Sequence, residues 1–169
     1  MLKSIFNFFL IIFLFSFALT TDIRLKKNLT SLLNTTDINS INDKIIVSTN
    51  GGIYSLNEDN TYIPLNDELT VYNISSISIR NNEVWLTSLD HGMLQILNSD
   101  FRLIETVEYP LFNNIYKVVF SENFAYAIIQ DDGEYAIAQY EIDDAGNVFY
   151  LNRLDNFGIS YSIINDVSI

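Results

Sequence analysis

A chain of 169 residues without cysteine forms no disulfide and offers neither a thiolate metal ligand nor a cysteine nucleophile. Its formal net charge of −12, from 21 acidic against 9 basic side chains, repels phosphate backbones and anionic headgroups. Nucleic acid is therefore excluded as a partner, and contact with a membrane is expected only through the first segment or regions beyond this sequence.

That first segment reads as a secretory signal peptide over residues 1–18. Lys3 supplies a positive start, residues 5–17 are an apolar run carrying six phenylalanines, and Ser16 and Ala18 place small residues at a cleavage site. The run is shorter than the roughly 20 residues of a membrane span, and an uncleaved N-terminal anchor is the alternative reading. Residues 19–36 form a lead-in, and export to the periplasm, cell surface or medium is expected for the remainder.

From residue 37 onward the pattern is β-rich throughout. Short runs of Ile, Val and aromatics are broken every few residues by Asn, Asp or Gly. A first unit of strands is expected at 38–41, 44–49, 52–57 and 61–65, turning at Asn42-Asp43, Asn50-Gly51 and Glu58-Asp59-Asn60. A second is expected at 74–80, 83–88, 92–97 and 103–108, and a third at 115–121, 124–130, 134–142 and 148–154. No 3.6-residue stripe lasts long enough for a helix. Runs such as Ile45-Ile46-Val47 and Val118-Val119-Phe120 are apolar on both sides, which suits sheets covered on both faces.

Gly52, Gly92 and Gly133 recur in matching surroundings at nearly even intervals. Their period falls at the lower end of the roughly 40–45 residues, with several strands per unit, that mark propeller blades. Such regularity disfavours the competing β-sandwich. The expected fold is all-β, an incomplete β-propeller spanning 37–169. Its three four-stranded antiparallel blades fall at about 37–66, 74–109 and 115–155. A fourth begins near residue 163, because Ile164-Asn165-Asp166-Val167-Ser168-Ile169 resembles Ile74-Ser75-Ser76-Ile77-Ser78-Ile79. Propellers usually need about 4–8 blades, so the sequence reads as the N-terminal piece of a longer protein. Alone, without its signal, such a piece is expected to self-associate or be partly molten through its open blade face.

Few residues invite chemistry. His91 is the single histidine, and its repeat equivalents, Gly51 and Asp132, are turn residues. A general base also needs a positioned partner. Asp131-Asp132-Gly133 and Asp143-Asp144-Ala145-Gly146-Asn147 cluster hard oxygens suited to Ca²⁺, but lack the alternating acidic spacing of a dedicated loop and read as hairpin turns. Glu58-Asp59-Asn60 reads as a solvated connection. Trp85 aligns with Ile45 and Tyr126 at a second-strand position that packs between blades. Tyr109, Tyr116 and Tyr161 are candidates for stacking on sugar or peptide. Asn28, Asn34 and Asn73 each open an N-glycosylation triplet. Phosphate-binding glycine loops and serine nucleophile elbows are absent.

Glu83-Val84-Trp85-Leu86-Thr87-Ser88-Leu89-Asp90-His91-Gly92-Met93 resembles a two-component-regulator propeller repeat: apolar, Trp, apolar, small or Thr, turn, Gly, apolar. The stretch 44–54 is similar with Ile45 for Trp, and the third copy carries Tyr126. The resemblance spans residues 38–154. It implies either the exported ligand-sensing half of a membrane histidine kinase or the N-terminal part of an exported surface protein, such as a type IX secretion component. It implies no catalytic residues. The expected function is thus a non-enzymatic binding or interaction module without cofactor. Its ligand, a protein, glycan or small molecule, would meet the rim or channel, and no individual ligand-binding residue stands out. A propeller hydrolase or lyase with catalytic groups in further blades, and a purely structural envelope spacer, are the alternatives.

Overall fold

The computed structural model describes residues 34–59, 61–89, 91–108 and 114–154. The expected signal peptide, the fourth-blade start, Tyr109 and Tyr161 lie outside them. The described residues form twelve strands and no helix. The first sheet runs β1 (Thr35–Ile41), β2 (Lys44–Thr49), β3 (Gly52–Leu56) and β4 (Tyr62–Pro64). The second runs β5 (Ile74–Arg80), β6 (Glu83–Ser88), β7 (Met93–Leu97) and β8 (Leu103–Glu108). The third runs β9 (Asn114–Ser121), β10 (Phe124–Asp131), β11 (Glu134–Ile142) and β12 (Val148–Leu154). Each sheet is an antiparallel four-stranded meander paired in chain order. The first strands stand together, β5 meeting β1 on one side and β9 on the other.

Turn chemistry explains the tight hairpins. Asn42-Asp43 and Asn81-Asn82 hold positive φ (49° and 62°, 46° and 69°), the left-handed pair that matches strand twist. Asn and Asp tolerate that region because their short side chains bond locally. In the third blade Glu122 takes the first place at φ 50°.

These turns correct the glycine-based alignment. Ile41 pairs with Lys44, Arg80 with Glu83 and Ser121 with Phe124, so these three pairs mark equivalent places in the blades. Counted from them, Gly92 stands one place farther along its blade than Gly52 does. The β2–β3 turn closes at Thr49 and Gly52, whereas the β6–β7 ladder ends at Thr87 and Leu94. The longer turn in the second blade displaces its glycine against the strands. Trp85 therefore corresponds to Ile46, not Ile45. Ile46 is 0 % exposed and Trp85 1 %, while Ile45 is 43 % exposed.

Packing lies between blades. Ile41, Ile46 and Ile53 of the first blade cluster with Ile77, Val84, Leu86 and Leu97 of the second. The opposite face of the second blade, with Trp85, Leu94, Ile96 and Val107, clusters with Val118, Ala125, Ala127, Ala138 and Tyr140 of the third. A large indole meets a face of alanines, so the volumes complement one another. Phe120 meets the Trp85 ring edge-on at 5.0 Å, and the indole Nε1–H donates to Glu83 Oε2 at 3.0 Å.

Two carboxamides hold the connection from the first blade to the second. Asn66 Oδ1 accepts from Ile53 N and its Nδ2 donates to Gly51 O. Gln95, fully buried, accepts from the amides of Thr70 and Val71 and donates to Val71 O. Gly52 is confined by this arrangement. Its φ is +113°, and a Cβ there would overlap the Asn66 carboxamide.

Truncating Trp85 to Ala is expected to cost about 3–5 kcal/mol in chemical denaturation, as for other buried aromatics. Gly52→Ala is expected to destabilise more than Gly133→Ala. Both glycines hold positive φ, but nothing lies within 4 Å of a Cβ at Gly133. Equal losses in Tm would show that Asn66 yields freely.

Candidate functional site

The inner strands β1, β5 and β9 line a concave groove of about 800 Å³. Asp37, Asn39, Ser78, Tyr116, Lys117 and Val119 are among its walls. It is the position where a propeller presents its channel, and it is built from short polar side chains on adjacent inner strands.

Those polar groups bind the blades to each other. Thr36 Oγ1 donates to Ile74 O at 2.7 Å, and one repeat later Ser75 Oγ donates to Ile115 O. Asn39 Nδ2 donates to Ile77 O at 3.2 Å, and Ser78 Oγ donates to Val118 O at 2.6 Å. The Ile77 amide donates to Asp37 Oδ2 at 2.9 Å. Each hydroxyl has a single proton, which orders the rest of the network. With the Ser75 proton on Ile115 O, Thr87 Oγ1 lies 2.7 Å from Ser75 Oγ and 2.9 Å from Ser76 Oγ, and it also donates to Tyr116 O at 3.3 Å. In the first blade Ser48 plays the part of Thr87, its Oγ lying 2.9 Å from Thr36 Oγ1.

The third blade departs from this pattern. Its equivalents of Ser75 and Ser78 are Tyr116 and Val119. The Tyr116 hydroxyl donates to Gln130 Oε1 at 2.8 Å within its own blade, and its ring lies 5.6 Å from that of Tyr135.

The residues singled out in the sequence do not gather at this groove, Tyr116 excepted. His91 is exposed in the β6–β7 turn. Asp131 pairs with Arg153, whose other guanidinium nitrogen reaches Glu134 at 3.5 Å. Asp143 closes its own hairpin: Oδ1 accepts from the amides of Ala145 and Asn147, and Oδ2 from the Asn147 carboxamide. The Asn147 side-chain and backbone bonds, in that order, hold the Asp143 carboxyl below its usual range. Thr61 does the same for Asp59 through its hydroxyl and amide. Among the described residues, no group of three or more His, Cys, Asp or Glu is placed to hold a metal ion. Trp85 is core. Asn34 is exposed, whereas Asn73 is half-buried and the Ser75 of its triplet is tied to Ile115. Asn28 lies outside the described residues.

Thr36, Asp37, Asn39, Ser75 and Ser78 passed unnoticed in the sequence. Their signal is a hydroxyl or amide at the first and fourth places of Thr36-Asp37-Ile38-Asn39, repeated one blade later in Ser75-Ser76-Ile77-Ser78. Only the strand register makes that spacing visible.

Three blades of sequential four-stranded meanders around a shared inner wall make this a β-propeller architecture. The computationally designed Ika8 protein has a similar structure, with a TM-score of 0.52 at 16 % identity over 72 % of this chain and 36 % of that one. Hsv2 of Kluyveromyces lactis aligns at a TM-score of 0.43 and 14 % identity, over 72 % of this chain and 37 % of that one. This chain thus spans about a third of the length of each. No family model and no curated protein matches the sequence.

Glu105 sits at the seam between the second and third blades. Burial raises its carboxyl above the ordinary value, followed by repulsion from Asp143 and then Glu83. The folded form then holds its proton to higher pH than the unfolded form, so its destabilising effect appears as pH rises above 4.5 and is full above the raised value. Glu105→Gln is expected to raise Tm at pH 7 and to leave it nearly unchanged at pH 4, as read by thermal melts at the two pH values. A gain of equal size at both would refute the electrostatic cause.

Proposed function

We propose that this protein is an exported, non-enzymatic binding module whose inner groove and adjoining rim receive a protein, glycan or small-molecule ligand. The observation that carries this reading is the use of the inner-wall side chains. Hydroxyls that could have served a substrate, and the Asn39 carboxamide beside them, are committed to the carbonyls of the next blade. A wall stitched in this way is rigid, and a rigid concave surface suits recognition because little freedom remains to be lost on binding.

Three further features support the setting. Lys3, the apolar run 5–17 and Ala18 have the anatomy of an export signal. The Trp-Leu-Thr-Ser wording of β6, followed by its glycine turn, resembles the two-component-regulator type of propeller repeat. That type suits a sensor or an envelope secretion component. The acidic charge, −12 over the whole sequence, favours neutral or cationic ligands over anionic ones.

Full-length protein made in a bacterial host is expected outside the cytoplasm with Leu19 as its first residue, read by N-terminal sequencing. Retention in the cytoplasm with Met1 in place would overturn export. On glycan and peptide arrays the exported protein is expected to retain a ligand at about micromolar Kd. Lys117→Trp, a bulky change at the groove wall, should weaken that binding about tenfold or more whatever the ligand's charge. Undiminished binding by this variant would move recognition away from the groove.

A further inference from the structure

We propose that the inner wall of the third blade holds a seat for a ligand carboxylate at the main-chain amide of Val118, a proposal that rests on the groove being a ligand site. Ile38, Ile77 and Val118 are equivalent residues. Each stands two places beyond the bulged residue of its inner strand, which is Thr36, Ser75 or Tyr116. In the first two blades a single carboxylate satisfies this amide. Asp37 Oδ1 accepts from Ile38 N at 2.8 Å, and Asp37 Oδ2 accepts from Ile77 N at 2.9 Å. One side chain thus caps its own strand and the next.

The third blade has neither source. Ser76 stands in the place of Asp37 on the second blade, and its hydroxyl contacts Thr87 Oγ1 at 2.9 Å instead of reaching across. On the strand of Val118 itself that place is taken by Lys117, whose ammonium has no acceptor to offer. Among the described residues no side chain accepts from the Val118 amide. A strand residue directs its N–H and C=O to the same side. The Val118 carbonyl accepts from Ser78 Oγ at 2.6 Å, as the Ile77 carbonyl does from Asn39 Nδ2. The Val118 amide is therefore turned toward the seam between inner strands, where Ser76, Lys117 and Val118 all line the groove.

The chemistry of the occupant follows from Ile77, where a carboxylate oxygen fills the same place. A hydrogen bond to an ionised acceptor is roughly twice as strong as one to a neutral acceptor. Lysine in the place of aspartate also reverses the charge beside the amide, from one that repels an anion to one that attracts it. The net charge of −12 opposes anions at long range. The ligand therefore carries its carboxylate on a body that is otherwise neutral or cationic.

Titrating the isotope-labelled full chain with sodium acetate at constant ionic strength, followed by amide NMR, tests the seat. Val118 is expected to shift downfield saturably with a Kd of about millimolar order, while Ile77, already capped by Asp37, stays in place. Acetamide, the neutral counterpart, is expected to leave Val118 unmoved. Ser76→Asp and Lys117→Asp each rebuild one half of the Asp37 arrangement within the chain. Either is expected to move Val118 downfield without acetate and to weaken the acetate response about tenfold. Should both variants fail to fold, the titration of the unaltered chain decides. A Val118 amide indifferent to acetate, or moved equally by acetamide, would overturn the seat. The groove reading would survive that result if Lys117→Trp still weakened binding of an array ligand. A saturable acetate shift at Val118, with array binding indifferent to Lys117→Trp, would support the seat and remove the groove reading.

Discussion

The structure depends on side chains of one inner strand reaching the main-chain carbonyls of the next. A sheet in this chain has two faces to cover, and hydrophobic contact alone would let neighbouring sheets slide. Thr36 on Ile74, Asn39 on Ile77, Ser75 on Ile115 and Ser78 on Val118 fix the translation of each blade against the next. Each such bond contributes only about 0.5–1.5 kcal/mol net. Its larger effect is on register, since a slipped blade would break all four bonds at once. Thr87 and Ser48, on the second strands, carry the network outward from the inner wall and tie the position of β6 to β5 and of β2 to β1.

Apolar packing supplies the bulk of the energy on that fixed frame. Trp85 is the largest fully buried side chain and works because the third blade answers it with Ala125, Ala127 and Ala138. The first interface solves the same problem with Ile46, Ile53 and Leu86, side chains of more even size. The two interfaces thus use different volume distributions at equivalent positions.

The same constraint shapes the groove. Its hydroxyl-rich wall invites comparison with a sugar or metabolite site, yet those hydroxyls already have partners. The acidic turns have similarly local duties: Asp143 and Asp59 spend their oxygens on the amides and side chains of their own turns.

Most strands were legible in the sequence. The limits 74–80, 83–88, 103–108, 134–142 and 148–154 coincide with the structure, because β-branched runs and Asn, Asp or Gly turns are local signals. The Asn42-Asp43 and Asn81-Asn82 turns are local in the same sense. Alignment of one blade with another was not, since glycines mark turns and turn length varies; the longer β6–β7 turn paired Trp85 with an exposed isoleucine. The network of Thr36, Asn39, Ser75 and Ser78 was likewise invisible. Serines and asparagines are common in loops and faces alike, and only strand pairing shows which of them meet a carbonyl of the next blade. The sequence by itself determined the all-β class, the acidic surface and the turns, which depend on residues adjacent along the chain. The tertiary structure decided the blade register, the indole's partners and the commitment of the inner wall, because these depend on residues that only meet when one blade stacks on the next.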